Sequence, residues 1–341
     1  MDFKRRLPIP KEVKEMYPLS KKGEQRREFC IKSINDILEG KDSRLLLMMG
    51  PCSADRVDAV MEYLQRLTVL ADKVKDKVFI VPRLYTSKPR SKGNAYKGML
   101  HRPDLDSDYD DIFKGLLAIR NIHQKALEET GFGCVDEMLY PDTYRFLSDL
   151  LCYVSIGARS SDNQQHKLIA SGLDIPVGIK NAMNGDIKSL LQTIHTAQNP
   201  HTFIYRNWEV ESQGNPFAHG ILRGYVDQEG LSHPNISPEE LERYSSMYEE
   251  ANLKNPAFII DCNHSNSGKQ YLKQMDIARD IARLRKENAS VGRVVKGLMI
   301  ESYLEDGNQC DNGGVFGKSI TDPCLGWEKS EKLVLELAEI W

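Results

Sequence analysis

The stretch from Leu45 to Asp55, LLLMMGPCSAD, decides how the rest of the chain is read. An unbroken apolar run suits a strand covered on both faces, and Gly50-Pro51 then ends it and turns the chain. The first side chain offered after that turn is a thiol, Cys52. A strand of this kind needs neighbours, and the sequence supplies them. Beside RLLLMMG itself, from Arg44, the runs VFIVPRL from Val78, CVDEM from Cys134, VSIGAR from Val154, PVGIKN from Pro176, AFIIDC from Ala257 and VVKGLMIES from Val294 share its character. TFIYRN from Thr202 competes with GILRG from Gly220 for one further place.

Amphipathic segments with capping signals lie between these runs. In SPEELERYSSMYEE, Ser237 can cap, Pro238 suits the first turn and Glu240 completes a capping box. Strand and helix alternate about eight times, over a length somewhat above the roughly 250 residues of a typical barrel. That pattern predicts an α/β fold, a (β/α)8 TIM barrel over residues 44–341. No Gly-x-Gly-x-x-Gly opens the first unit, which counts against a dinucleotide-binding sheet. Residues 1–43 stand outside the repeat as an N-terminal arm, with a helix from about Glu24 to Leu38 stopped by Gly40. The polar, glycine-bearing WEVESQGNPFAH separates the two candidates for strand six and assigns one of them to an inserted hairpin.

Composition narrows the function. Of 341 residues, 40% are hydrophobic and 28% charged, which is enough apolar chain for one large core. A formal net charge of −3 gives no surplus to hold nucleic acid or an anionic membrane, so neither is expected as a partner. No apolar run approaches the roughly 20 residues of a spanning helix, and none follows the basic N-terminus as in a signal peptide, so a cytoplasmic protein is expected. The seven cysteines are scattered and read as reduced thiols, available as ligands or nucleophiles.

In a barrel of this class the chemistry sits at the carboxyl ends of the strands. Those ends deliver Cys52, then Arg83 with YTSKPRS, then Asp136 and Glu137, Arg159, Lys180, Arg223, His264 and Glu301, and Asp322 follows in GKSITDPCLGW. Cys52, His264, Glu301 and Asp322 combine a thiolate, an imidazole and two carboxylates. Such a set suits one divalent transition metal, Mn2+, Fe2+, Co2+ or Zn2+, better than Ca2+ or Mg2+. Arg83, Lys88, Arg90, Arg159, Lys180 and Arg223 would repel one another in one mouth unless anions compensate them, and Arg forks match phosphate and carboxylate. Taken singly, each residue also has an ordinary role as a small buried thiol, a loop cap or a surface ion pair. Cys262, two residues before His264, is an alternative ligand. The joint placement at nearly every strand end is what favours chemistry.

The motifs GPCS, KPRS, GARSSDN, SGLDIPVGIKN, ILRG, HSNSGKQ, IESYLEDGNQ and GKSITDPCLGW, running from about Arg44 to Trp327, resemble those of the type I, alpha-class 3-deoxy-7-phosphoheptulonate synthases. The resemblance implies a transferase of the shikimate pathway that joins phosphoenolpyruvate to erythrose 4-phosphate. It implies a metal on Cys52, His264, Glu301 and Asp322, and phosphoenolpyruvate on Arg83, Lys88, Glu137, Arg159, Lys180 and Arg223. Erythrose 4-phosphate would lie along Lys88, Pro89, Arg90 and Ser91. Lys88 is then the candidate proton donor and Glu137 the residue that positions water, with Cys52 and His264 completing the catalytic set. A homo-oligomer, dimer or tetramer, is expected.

The chain departs from that pattern at Tyr140, where Asp is usual, at Tyr303, where His is common, and in the longer SKGNAYKG loop. The segment Trp208 to Arg223 and the chain before Pro8 are short beside those of feedback-regulated relatives, so inhibition by Phe, Tyr or Trp is not expected. Two other readings compete: a related synthase acting on arabinose 5-phosphate or a hexosamine, and a non-catalytic ligand-binding barrel.

Overall fold

The computed structural model describes residues 1–90, 95–107, 109–310 and 314–341. Eight parallel strands form the centre: β1 (Leu45–Gly50), β2 (Val78–Pro82), β3 (Val135–Glu137), β4 (Tyr153–Ile156), β5 (Val177–Lys180), β6 (Ala218–Leu222), β7 (Phe258–Asp261) and β8 (Val295–Glu301). Their ladder runs β2-β1-β8-β7-β6-β5-β4-β3. Its two ends meet through a parallel bridge between Arg83 and Val135, with Leu84 N donating to Val135 O at 2.9 Å. The sheet is thereby a barrel, closed by the same residue that carries a guanidinium into its mouth.

Alternation along β1 explains its uninterrupted apolar run. Leu45, Leu47 and Met49 pack outward in the layer shared with the helices, whereas Leu46 and Met48 point inward with Val81, Val135, Tyr153, Ile221, Ile259 and Met299. The inner cluster also takes Cys30, Ile34, Ile37 and Leu38 from the helix Lys21–Glu39. That helix plugs the amino-terminal end of the barrel. Its Arg27 holds Leu151 O and Ser148 O, both at 3.0 Å, just before β4. Each large side chain buried in the plug contributes roughly 1.5–3 kcal/mol.

The arm helix is longer than the expected Glu24–Leu38. Ser20 caps it from Gly23 N at 3.1 Å, and Gly40 ends it in the left-handed region at φ 81°. A second short helix, Pro10–Met16, precedes it and was too brief to carry a periodic signal. Of the two candidates for strand six, GILRG supplies the barrel strand. Thr202–Tyr205 instead pairs antiparallel with Trp208–Glu211 as the inserted hairpin, turned at Arg206 and Asn207 with φ of 54° and 63°. The capping box at Ser237 and Glu240 is formed as its spacing predicts, with Glu240 N on Ser237 Oγ at 3.2 Å.

Candidate active site

After β8 the chain leaves the mouth and returns over it. Short strands Glu305–Asn308 and Lys318–Ser319 pair, Leu325 N bonds Glu301 O at 3.0 Å and Tyr303 N bonds Leu325 O at 2.8 Å. This return brings Asp322 beside the ends of β1 and β8. Gly50 lets the end of β2 close against β1, since a Cβ there would lie 2.3 Å from Arg83 O.

Ligand atoms of Cys52, Glu301 and Asp322 all lie within 4.8 Å of one another. Cys52 is 2% exposed, and burial, with Glu301 and Asp322 nearby, pushes its thiol pKa up against the pull of Lys88 and Arg83. Lys88 Nζ reaches its Sγ at 3.3 Å. Burial alone would raise the Glu301 carboxyl, but Arg83, His264 and Lys88 outweigh it and keep the group ionised. Asn263 donates to Glu301 Oε2 at 2.7 Å, while Oε1 accepts no hydrogen bond among the described residues. Asp322 is the more open member, held by Lys269 Nζ at 3.2 and 3.3 Å.

His264 is not brought into that trio. Its Nδ1 sits 2.8 Å from Asp261 Oδ2, an ion-pair distance whose alignment falls short of a hydrogen bond. Its backbone is in the left-handed region at φ 48°, a strained conformation for a side-chain-bearing residue. The ring remains close enough to lower the pKa of both Glu301 and Asp322. The alternative ligand, Cys262, turns instead into the core, its Sγ against Ile260 O at 3.7 Å.

Around this trio stand the cations. Arg83 is fully buried, with Nη2 at 3.0 Å from Glu301 Oε1 and at 3.3 Å from Cys52 O. Its Nε and Nη1 have no hydrogen-bond partner among the described residues. Lys180 Nζ bonds Asp261 Oδ2 at 2.9 Å, and that carboxylate overcomes burial to raise the lysine pKa. Arg223 is buried beside Met183 Sδ at 3.5 Å, and burial together with the charge of Arg159 lowers its pKa. Arg159 itself is exposed on the turn after β4, and exposed Arg90 bonds Tyr96 O at 3.2 Å next to half-buried Pro89. Ser91 lies outside the described residues.

The two acids ending β3 divide. Asp136 accepts from Thr86 N at 2.9 Å, Thr86 Oγ1 at 2.5 Å and Glu137 N at 2.7 Å, with His123 Nε2 at 3.2 Å, so it braces the loop that carries Lys88. Glu137 keeps its carboxylate near Gly157, where a Cβ would lie 2.3 Å from Oε1. Tyr303 is fully buried and donates to Asp55 Oδ1 at 2.7 Å, tying the end of β8 to the loop after β1. Tyr140 is 42% exposed and lies away from that pair, against the His101 ring.

Two contributors escaped the strand-end reading, Asp261 and Tyr85. Asp261 lies inside the apolar run AFIIDC and looks like core, whereas Tyr85 joins the inner apolar cluster only in the fold. The signal available was spacing, since Asp261 is three residues before His264 and Tyr85 is two beyond Arg83.

Residues 19–335 match the model of the DAHP synthetase I family. The chain is 35% identical to the Tyr-sensitive phospho-2-dehydro-3-deoxyheptonate aldolase of Escherichia coli K12, covering 97% of this chain and 92% of that one. It is 36% identical to the Phe-sensitive aldolase of the same organism, covering 99% and 95%. A solved phospho-2-dehydro-3-deoxyheptonate aldolase from Francisella tularensis superposes with a TM-score of 0.91 at 31% identity, over 100% of this chain and 98% of that one.

Proposed function

The chain belongs to the DAHP synthetase I family, and from that premise we propose that its mouth joins phosphoenolpyruvate to erythrose 4-phosphate by dividing the work among three groups of side chains. The product is 3-deoxy-D-arabino-heptulosonate 7-phosphate, with phosphate released.

Arg83, Lys88, Lys180, Arg223 and Arg159 hold phosphoenolpyruvate, neutralising its charges and fixing C3 toward the second substrate. The observation that carries this reading is the Arg83 guanidinium, which is fully buried with Nε and Nη1 unpartnered among the described residues. Leaving buried donors unpaired costs about 1–3 kcal/mol each, and an anion would recover that cost. Lys88, Pro89, Arg90 and Ser91 carry erythrose 4-phosphate.

Cys52, Glu301 and Asp322 fit a divalent transition metal, since they combine a thiol with two carboxylates and Glu301 Oε1, though paired with Arg83, accepts no hydrogen bond among the described residues. His264, whose Nδ1 lies 2.8 Å from Asp261 Oδ2, would be the fourth ligand, with that carboxylate orienting the ring. Such an ion, Mn2+, Fe2+, Co2+ or Zn2+, supplies Lewis acidity to the aldehyde. When C3 of phosphoenolpyruvate bonds to the aldehyde carbon, Lys88 Nζ gives a proton to the carbonyl oxygen. Glu137 orients the water that adds at C2 and takes its proton, and phosphate departs with the C–O bond.

Residues 44–341 act as the catalytic barrel in this account, and residues 1–43 as its plug. A homo-oligomer, dimer or tetramer, is supported by apolar Ile204 and Trp208 at the hairpin, 84% and 73% exposed. Among the described residues no helix is long and apolar enough to cross a membrane, in keeping with a cytoplasmic location. The test is to incubate the purified protein with phosphoenolpyruvate and a panel of aldose phosphates and follow phosphate release. Erythrose 4-phosphate should give the highest kcat/KM, and preference for a pentose or hexosamine phosphate would overturn the assignment.

A further inference from the structure

Tyr85 marks the boundary between the apolar barrel interior and the charged mouth. It is 1% exposed and packs with Val81, Tyr153 and Met299 in the inner cluster. Three cations stand near its ring: Arg83 Cζ at 4.0 Å, Lys88 Nζ at 5.2 Å and Lys180 Nζ at 5.8 Å from the centroid. All three fall inside the roughly 6 Å range over which an aromatic face attracts a cation, and exclusion of water strengthens that attraction. The tyrosine hydroxyl pairs with Ser155 Oγ of β4 at 2.7 Å and meets Met299 Sδ of β8 at 3.7 Å. These two contacts anchor the ring between strands on different sides of the barrel.

Each of the three cations also has an outer partner. Arg83 has Glu301, Lys180 has Asp261 and Lys88 has the Cys52 thiol. Those partners pull in different directions, toward β8, β7 and the loop after β1. Among the described residues the ring is the one contact that all three cations share, and its negative face lowers the cost of gathering like charges in a dry site.

We infer that Tyr85 is a positioning residue for the condensation, its ring face holding Arg83, Lys88 and Lys180 converged so that phosphoenolpyruvate meets a preformed anion site. This rests on the assignment of those cations to phosphoenolpyruvate made above. Preorganisation of this kind raises affinity by removing the ordering cost from the binding step.

The test uses the full-length, metal-loaded protein with Tyr85 replaced by phenylalanine and by phenylalanines bearing one, two and three ring fluorines. The series keeps the ring's shape while progressively weakening its negative face. Phosphoenolpyruvate binding is measured by calorimetry without the aldose, and thermal midpoints are recorded alongside. Tyr85→Phe should bind within about threefold of the parent, and affinity should then fall stepwise, to about tenfold weaker or more at three fluorines, with midpoints level. Tyr85→Leu should lose at least as much, and if it fails to fold the fluorinated series decides alone. A flat fluorine series overturns the inference. Lys88→Ala and Lys180→Ala separate the two readings. Affinity lost in these variants but flat along the fluorine series overturns the platform alone, whereas unchanged affinity in them overturns the anion-site assignment and the platform with it.

Discussion

In the lower barrel interior His219 bonds at both ring nitrogens, to the Tyr153 hydroxyl and the Phe217 carbonyl, each at 2.8 Å. At the mouth Arg83 is just as buried, yet Nε and Nη1 have no partner among the described residues. Folding selects paired groups below, because an unpaired buried donor only costs stability there. At the mouth the same deficit is useful, because a ligand that fills it gains what the fold gave up. The contrast repeats within two adjacent residues. Asp136 has its carboxylate committed to Thr86, His123 and the Glu137 amide, and its neighbour Glu137 is left room by Gly157.

The largest expected effect belongs to the metal group. Exhaustive chelation should reduce turnover to background and added Mn2+ should restore it, and Cys52→Ala should lose tight metal binding. Full turnover after chelation would remove the metal from the account. Next comes Arg83→Ala, which takes one charged partner from a desolvated site. It should weaken phosphoenolpyruvate binding by about 2–5 kcal/mol, tens- to thousands-fold, in calorimetry. Parent-like affinity would mean that the unpaired donors serve something else.

The paired region predicts a smaller, pH-dependent effect. Burial lowers the His219 pKa to about 4, so its neutral form is the one the fold accepts. Between that value and the ordinary 6.5 the unfolded chain binds the extra proton. Stability contributed by His219 is therefore intact above about pH 6.5 and declines as pH falls toward 4, by about 3 kcal/mol at most. Urea unfolding of the parent and of His219→Gln at pH 7.5 and pH 5 reads this directly. An equal pH dependence in both would contradict it. The smallest effect is an expected absence: Phe, Tyr and Trp at millimolar concentration and subsaturating phosphoenolpyruvate should leave the rate nearly unchanged, although the E. coli relatives are named for sensitivity to Tyr and Phe. Micromolar inhibition by any one of them would refute it.

The barrel was legible because parallel strands buried on both faces, such as Leu45–Gly50, read as unbroken apolar runs. Strand six was ambiguous because Thr202–Tyr205 is equally rich in strand-forming residues, and only its exposure in the hairpin distinguishes it from Ala218–Leu222. Cys52, Glu301 and Asp322 were found by asking what each strand end or its return loop delivers, and the chain folds them together. His264 was read as their equal, but its local geometry depends on Asp261, a residue concealed inside the apolar run AFIIDC. The loop carrying Lys88 is braced by Asp136 across a sequence gap of 50 residues, a distance no local pattern reports.

A crystal structure with phosphoenolpyruvate bound tests the central claim most directly. Carboxylate or phosphate oxygens should lie within hydrogen-bond distance of Arg83 Nε and Nη1, with Lys180 and Arg223 also in contact. Phosphoenolpyruvate bound elsewhere, with those two nitrogens still unpaired, would contradict it.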